Sequence, residues 1–81
     1  MILNIGYSNY INLDRVIAIL NPDSSPIKRM IKEAKETDML IDATYGRKTR
    51  SVIVLDSKHL VLSSFQSDTL KERIENKWKV N

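Results

Sequence analysis

The sequence predicts an α+β fold, in which two helices accompany a mainly antiparallel sheet within a single small domain. Three observations lead to this prediction. The chain has 81 residues, which is the length of one domain. Short runs of β-branched and apolar residues lie between turn-forming residues, and two other segments repeat apolar residues at helical spacing. Their order is strands, helix, three strands and helix, and together they predict one domain over residues 1–81.

The first two predicted strands are residues 2–5 and 16–20. The second strand, Val-Ile-Ala-Ile-Leu, is apolar on both faces, so it needs cover above and below the sheet. A chain of 81 residues buries only a small core, and without cysteine it has no disulfide to compensate. We therefore expect copies of the chain to associate, each covering part of its neighbour's sheet.

The first predicted helix follows a short loop that begins at Pro22. Ser25 suits the N-cap position and Pro26 suits the first helical position. The residues that follow repeat every three or four positions along one apolar stripe, which consists of Ile27, Met30, Ile31 and Ala34.

Three antiparallel strands are predicted in the second half of the chain. Residues 39–43 and 50–55 are expected to form a hairpin around a turn at residues 45–48. A second turn, at residues 56–59, leads into the strand at 60–63 and extends the hairpin to three strands.

The closing helix is predicted over about residues 68–80. Thr69 and Glu72 match a capping box, in which each side chain bonds the backbone N–H of the other residue. The apolar residues repeat every four positions on one narrow face, namely Leu70, Ile74 and Trp78.

The composition argues against an enzyme. There is one histidine, no cysteine and no glycine-rich phosphate loop, so neither a cofactor nor a bound metal is predicted. His59 lies in a predicted turn, and Asp42 and Asp56 flank different turns, where capping is more common than catalysis. Ser63 and Ser64 leave an apolar strand, where hydroxyls usually bond local backbone groups.

The chain shows no sign of membrane insertion or secretion. It has no apolar run of about 18 residues, and its first residues lack the pattern of a signal peptide. A cytoplasmic protein without a membrane partner is therefore expected.

Positive charge is concentrated in one segment. The chain carries 13 Lys and Arg against 10 Asp and Glu, a net charge of +3, which matters for binding only where it is clustered. Arg47, Lys48 and Arg50 lie within six residues that contain no acid, at the predicted hairpin tip. Arginine forks bind phosphates or guanine edges through two bonds, and a two-stranded ribbon fits the major groove. These residues alone are equally consistent with DNA contact and with a solvated turn.

Other cations are open to two interpretations. Lys28, Arg29 and Lys32 are either a second phosphate surface or a solvated helix face, and pairing with nearby glutamates favours the latter. Arg15 either pairs with the acid before it or is displayed as a phosphate contact, and the spacing does not decide between them. RNA ranks below DNA as a partner, because Tyr45 is the one aromatic residue near the basic segment.

Several separate segments occur in the order and at the spacing of one bacterial family. Over residues 4–69 the sequence resembles the extracellular matrix regulatory protein A (RemA-like) proteins. Each segment alone is a weak signal, whereas all of them together are highly specific. The segments that carry the resemblance are Asn4-Ile5-Gly6-Tyr7, Pro22-Asp23-Ser24-Ser25-Pro26-Ile27-Lys28-Arg29, Asp42-Ala43-Thr44-Tyr45-Gly46-Arg47-Lys48-Thr49-Arg50, Asp56-Ser57-Lys58-His59 and Leu62-Ser63-Ser64.

The resemblance implies a transcriptional regulator that binds double-stranded DNA, activates biofilm matrix genes and assembles into a closed ring of identical subunits, an octamer. It puts DNA-contacting arginines at Arg15 and Arg47, the next basic position at Lys48, and the end of the same motif at Arg50. Weak phosphate contacts around such a ring add through multivalency. The alternative is a ring-forming scaffold or protein-interaction module whose basic residues only keep it in solution.

Three positions depart from the family's pattern. Lys48 stands where arginine is common, which keeps the charge and loses the planar fork. Tyr45 stands where histidine is frequent. Asp38 occupies a place between helix and strand where glycine is usual, so we expect that turn to carry strain or to take another form.

Overall fold

The computed structural model describes the chain from residue 1 to residue 78, with side chains to residue 76. Its strands are β1 (Ile2–Gly6), β2 (Asn9–Asn12), β3 (Val16–Leu20), β4 (Leu40–Asp42), β5 (Ser51–Leu55) and β6 (Leu60–Ser63). Its helices are α1 (Ser25–Glu36) and α2 (Ser67–Trp78), and a 3-10 turn, Leu13–Arg15, joins β2 to β3. The predicted α+β class with two helices and mostly antiparallel pairing is confirmed.

Four strands form the central sheet in the order β3, β5, β6, β4. β3 and β6 run antiparallel to β5, whereas β4 runs parallel to β6. The predicted hairpin between residues 39–43 and 50–55 is therefore wrong, because β6 lies between those two strands. The turn at residues 45–48 belongs to a connection across the end of β6. The second predicted turn, at residues 56–59, does join neighbouring antiparallel strands.

The central sheet separates two apolar layers. Successive residues of a strand point to opposite faces, so Val52 and Leu62 pack in the layer that contains α1. Ile53 and Val61 pack in the other layer, together with β1 and with Leu70 of α2. All of these side chains are buried, so both faces of the sheet are covered at its centre.

β1 and β2 form a separate antiparallel ribbon. The intervening residues Tyr7 and Ser8 both have positive φ, 53° and 62°, which is the two-residue turn whose twist matches that of a hairpin. The sequence pattern does not predict β2, because the residues Asn-Tyr-Ile-Asn include two asparagines, which are typical of turns.

The start of α1 differs from the prediction by one residue. The N-cap is Ser24, which makes no side-chain capping bond, and Ser25 is already helical. Pro26 is therefore the second helical residue and not the first, but it still lies in the first turn, where its missing N–H costs no helical hydrogen bond.

α1 ends in a turn that requires left-handed backbone. The Met39 N–H donates to the Ala34 carbonyl at 2.8 Å, and the Asp38 N–H donates to the Lys35 carbonyl at 3.4 Å, which is the Schellman pattern. Asp38 has a φ of 58°. The turn thus keeps the form that glycine favours, and an aspartate adopts the strained conformation there.

The start of α2 also differs from the prediction. The helix begins at Ser67, two residues before Thr69, so Thr69 lies inside the helix and its predicted capping box with Glu72 is wrong. The carbonyl of Gln66 accepts the first helical bond, from the Leu70 N–H at 3.1 Å.

The apolar face of α2 follows the predicted four-residue repeat as far as the structure describes it. Leu70 is fully buried, and Ile74 packs against the same core. The side chain of Trp78 and residues 79–80 of the predicted helix lie outside the described residues. No helix within the described part of the chain is long and apolar enough to cross a membrane.

Candidate nucleic-acid interface

The candidate interface is built on residues 43–50, here called the basic loop. The basic loop crosses the end of β6, because the strands that it connects, β4 and β5, flank β6. β6 holds both of its ends: the Ala43 N–H donates to the Leu62 carbonyl at 3.0 Å, and the Arg50 N–H donates to the Ser63 carbonyl at 2.9 Å. The basic loop is therefore fixed at both ends to a strand that is buried along its whole length.

Asp42 shapes the start of the basic loop. Its Oδ1 accepts a hydrogen bond from the Thr44 hydroxyl at 2.6 Å and another from the Thr44 N–H at 2.9 Å. The hydroxyl bond, and to a lesser degree the backbone bond, lowers the pKa of Asp42, against a weaker opposing effect of burial. The Thr44 carbonyl in turn accepts from the Arg47 N–H at 3.0 Å. Asp42 thus holds the turn that presents Arg47.

Two tyrosines stack where the basic loop meets the turn of the β1–β2 ribbon. The rings of Tyr7 and Tyr45 have centroids 5.1 Å apart and an interplanar angle of 19°. Tyr45 and Gly46 both have positive φ, 55° and 77°, so the tip of the basic loop is a left-handed turn. Tyr45 nevertheless remains 81% exposed, which leaves much of its ring available to a ligand.

Ser63 and Gly6 bring the β1–β2 ribbon against the end of β6. The Ser63 hydroxyl donates to the Ile5 carbonyl at 2.9 Å and accepts from the Phe65 N–H at 3.0 Å. Gly6 has a φ of 107°, and a Cβ atom there would lie 3.4 Å from Cε1 of Phe65. The fold therefore uses the Ser63 hydroxyl internally, and a glycine allows the ribbon to approach Phe65.

A groove of about 480 Å³ lies beside the basic loop. Arg47, Lys48 and Arg50 are exposed, and among the described residues no carboxylate forms an ion pair with them. A smaller pocket of about 180 Å³ brings Lys48 and Arg50 close to Asp23 and Asp68. Cationic, aromatic and hydroxyl side chains line the groove: Tyr7, Arg47, Lys48, Arg50, Ser64 and Phe65.

Arg15 does not belong to this group. Its Nε lies 2.8 Å and 3.0 Å from the two carboxylate oxygens of Asp56, so its partner is an acid distant in sequence and not the acid that precedes it. That neighbour, Asp14, lies 3.8 Å from the N-terminal ammonium of Met1 instead. The Arg15 side chain remains 63% exposed.

Arg15 and the basic loop lie at opposite ends of the central sheet. Val16 pairs with Leu55 across β3 and β5, so Arg15 lies where β5 ends, whereas Arg50 lies where β5 begins. At about 3.3 Å per residue, the two positions are roughly 20 Å apart along the strand. One copy of the chain therefore presents two separate cationic positions.

The cations of α1 lie between these two ends. α1 starts shortly after Leu20, at the same end of the sheet as the basic loop, and runs toward the other end, where Met39 bonds Leu60. Lys28, Arg29 and Lys32 are exposed and form no ion pair within the described part of the chain. The pairing with glutamates that would neutralise this face is therefore not seen among those residues.

The residues considered for catalysis occupy structural positions. The Nδ1 of His59 lies 2.7 Å from the Ser57 hydroxyl within the β5–β6 turn, far from the basic loop. Asp56 is paired with Arg15, and Asp42 is bonded to Thr44. The described residues contain no group of three or more His, Asp or Glu side chains that could hold a metal ion.

Sequence reasoning missed Tyr7 and Phe65, which line the groove, and Arg73, which contacts Phe65. Tyr7 reaches Tyr45 because the β1–β2 ribbon packs against the end of β6. The Cζ of Arg73 lies 4.9 Å from the centroid of the Phe65 ring. The glycine before Tyr7 and the isolated position of Phe65 after two serines are features that could have drawn attention to these two aromatic residues. Arg73 lies on the polar side of a helix, where an arginine is common, so nothing in the sequence distinguishes it.

The fold and the basic loop together define a small α+β domain that displays a cationic loop at one end of its sheet. The chain belongs to the RemA-like family, described as extracellular matrix regulatory protein A-like, whose model matches residues 2–74. Its relatives include proteins of Bacillus cytotoxicus, Bacillus mycoides and Bacillus cereus, each named "Putative regulatory protein". Each is 56% identical over 75 residues, which is 93% of this chain and 86% of the relative.

Proposed function

We propose that this protein is a DNA-binding regulator of transcription that contacts the phosphates of duplex DNA through the basic loop. Its proposed targets are genes of the extracellular matrix, because the family's description names regulation of that matrix. Biofilm formation is therefore the process that we propose it controls. Such a regulator acts in the cytoplasm with the chromosome and needs neither a catalytic residue nor a cofactor.

The observation that carries this proposal is that the three cations on the basic loop are exposed and are not neutralised by nearby acids. Arg47, Lys48 and Arg50 are exposed without a paired carboxylate among the described residues, on a loop whose ends are bonded to β6. An unpaired surface cation gains a phosphate contact without losing an internal ion pair, and each phosphate contact releases counterions from DNA. A loop that is already fixed also loses less conformational entropy when it binds.

The proposal includes assembly of the chain into a homo-oligomeric ring. The two edge strands of the central sheet, β3 and β4, carry the exposed apolar side chains Ile17, which is 67% exposed, and Ile41. Beside β3 lies a groove of about 510 Å³, lined in part by Val16, Ile19 and Ile74. Edge strands are open to pairing, and a ring closes when one edge of each copy meets the other edge of the next.

Assembly also gives Arg15 a role. Because Arg15 and the basic loop lie roughly 20 Å apart at opposite ends of β5, one copy cannot bring both to the same phosphate. In the proposed ring, neighbouring copies supply them to successive phosphates of one duplex. The bond to Asp56 uses the Nε of Arg15, so the two terminal nitrogens of its guanidinium are the ones offered to DNA.

The experiment is a titration of labelled duplex DNA with the purified protein at several salt concentrations. We expect the logarithm of the affinity to fall linearly with the logarithm of salt, and we expect Arg47→Gln and Arg50→Gln each to reduce the slope by about 0.9 for every phosphate that is no longer bound. Lys35→Gln is the matched control, because Lys35 lies in the last turn of α1, away from the basic loop. It should leave both affinity and slope nearly unchanged.

Two results would refute the proposal in different ways. A wild-type affinity that does not change with salt, or no binding at all, would exclude phosphate contact. If light scattering still finds a ring in that case, the protein is a scaffold or protein-interaction module. A single-stranded RNA that displaces the duplex at equal concentration would instead make RNA the partner.

Assembly has its own test. Ile17→Lys introduces a charge on the exposed apolar edge of β3, so we expect light scattering to show a smaller particle and DNA affinity to fall through reduced multivalency. A wild-type protein that is monomeric at micromolar concentration would contradict the ring.

A further inference from the structure

Arg73 of α2 lies over a side chain that lines the groove beside the basic loop. Its Cζ is 4.9 Å from the centroid of Phe65, and the Phe65 ring is one of the groove's lining side chains. Resting on the proposed DNA binding, we propose that the groove seats the sugar–phosphate backbone of one DNA strand and that Arg73 supplies a phosphate contact from its helical side.

The groove has the chemistry that a sugar–phosphate backbone requires. Cations for phosphates lie on the basic loop, and the Phe65 ring offers an apolar surface for a deoxyribose between two phosphates. Its volume of about 480 Å³ falls within the range of roughly 300–1,000 Å³ that is usual for ligand sites. With Arg73, the cations near the Phe65 ring come from two elements, the basic loop and α2, which suits a strand that has a phosphate on each side of every sugar.

The contact with Phe65 leaves Arg73 hydrogen-bond donors for a phosphate. A guanidinium over an aromatic ring is held by attraction to the π-electrons of the ring, and it carries five N–H donors. Arg73 is exposed and forms no ion pair with a carboxylate among the described residues. The ring therefore fixes the position of the charge without using the hydrogen bonds that a phosphate would accept.

Lys71, two residues earlier on the same helix, provides the contrast. Its Nζ lies 3.7 Å from Glu75, and it lines the apolar groove beside β3 and not the groove beside the basic loop. Lys71 and Arg73 thus carry the same charge on one helix but face different surfaces, Lys71 the groove proposed for assembly and Arg73 the Phe65 ring.

The test compares Arg73→Gln with Lys35→Gln in the full-length protein, by titration of labelled duplex over a range of salt. We expect Arg73→Gln to weaken binding roughly tenfold at moderate salt and to reduce the salt slope by about 0.9 for each copy of the chain that contacts the duplex. We expect Lys35→Gln, which lies in the last turn of α1 and away from both grooves, to change the affinity less than about twofold, since it removes only general attraction. Thermal unfolding of each variant checks that the fold is intact.

Two further variants separate charge from stacking. Arg73→Lys keeps the charge and loses the planar fork, so the slope should be retained while the affinity falls in part. Phe65→Leu keeps an apolar side chain but removes the ring, and it too should weaken binding at an unchanged slope.

The outcomes distinguish this inference from the proposed function. If wild type binds duplex with a salt-dependent affinity and Arg73→Gln behaves like Lys35→Gln, Arg73 does not touch DNA and this inference alone is overturned. If wild type does not bind duplex, the proposed function and this inference both fail.

Discussion

Ser51 and Ser63 face each other across β5 and β6, and both are fully buried, but their hydroxyls differ in hydrogen bonding. The Ser63 hydroxyl bonds the Ile5 carbonyl and the Phe65 N–H. Among the described residues, the Ser51 hydroxyl is the one buried side-chain polar atom that has no hydrogen-bond partner. Two serines in equivalent pairing positions thus have unequal energetic roles.

We expect Ser63→Ala to destabilise the protein by about 1–3 kcal/mol, because it leaves a buried carbonyl and a half-buried N–H without their partner. Ser51→Ala should be neutral or slightly stabilising, because it removes a buried hydroxyl that bonds nothing. Urea denaturation measures both effects as shifts in the midpoint at constant slope. Equal destabilisation by the two variants would contradict this assignment.

Asp38→Gly is expected to stabilise the protein by about 0.5–1 kcal/mol, because glycine adopts the left-handed conformation of this turn without a steric cost. Asp38→Ala is the matched variant, and it should destabilise, since alanine has neither that freedom nor a short polar side chain. Thermal unfolding under one set of buffer conditions compares the three proteins. A lower melting temperature for Asp38→Gly would show that the aspartate itself supports the turn.

Asp42 should make stability depend on pH in the acid range. Its pKa in the folded protein is lowered below the ordinary value of 3.8, mainly by the Thr44 hydroxyl. A lowered folded pKa means that the carboxylate stabilises the fold above about pH 3.8 and that this contribution disappears as the pH falls through the folded pKa.

The measurement compares wild type with Asp42→Asn in melting experiments from about pH 6 down to about pH 3, which spans the titration of the unfolded carboxyl. The variant should be less stable near neutral pH, and the difference should shrink as the pH falls. Thr44→Val, which removes the hydroxyl and keeps the side-chain size, should reduce the same pH dependence. A difference between wild type and Asp42→Asn that stays constant with pH would count against the Thr44 bonds.

Gly6 and Gly46 both have positive φ, but their surroundings differ. Gly6→Ala should cost about 1–3 kcal/mol, because it adds a methyl group 3.4 Å from Phe65 to an already strained backbone. Gly46→Ala should cost only about 1–2 kcal/mol, since among the described residues no atom beyond the two chain neighbours lies within 4 Å of the new methyl group. Denaturant titration measures the free energy of unfolding of both variants. A larger loss of stability for Gly46→Ala than for Gly6→Ala would contradict this prediction.

Tyr45→Ala should weaken DNA binding without changing its salt slope, because it removes the stack with Tyr7 that holds the loop tip but removes no charge. Tyr45→Phe retains the ring and should bind nearly as wild type does. Duplex titration at several salt concentrations separates the two variants. A reduced slope for Tyr45→Ala would mean that the tyrosine also positions cations that contact phosphates.

Much of the fold could be predicted from local patterns. The β-branched run at residues 16–20 and the apolar stripe of α1 each define an element whose burial follows from its own sequence. The pairing of β4 could not be predicted, because a glycine turn between two strands normally indicates a hairpin, and nothing local shows that β6 enters between them. Strand order is decided by packing over the whole chain.

The candidate site divides in the same way. Arg47, Lys48 and Arg50 lie within four consecutive residues, so their proximity could be predicted from spacing alone. The separation of Arg15 from them depends on the antiparallel register of β3 and β5, which the sequence does not specify. Arg73 reaches Phe65 through the packing of α2, which only the three-dimensional structure shows.

The attachment of the basic loop to β6 has a consequence for how related chains diverge. Both ends of the loop are backbone bonds to the most protected strand, so the loop cannot swing open like a lid while the sheet remains folded. The exposed cations of the loop, Arg47, Lys48 and Arg50, contribute little to the core, so they are free to vary at small cost to folding. One scaffold can therefore carry a different surface charge at this place by exchanging a few side chains.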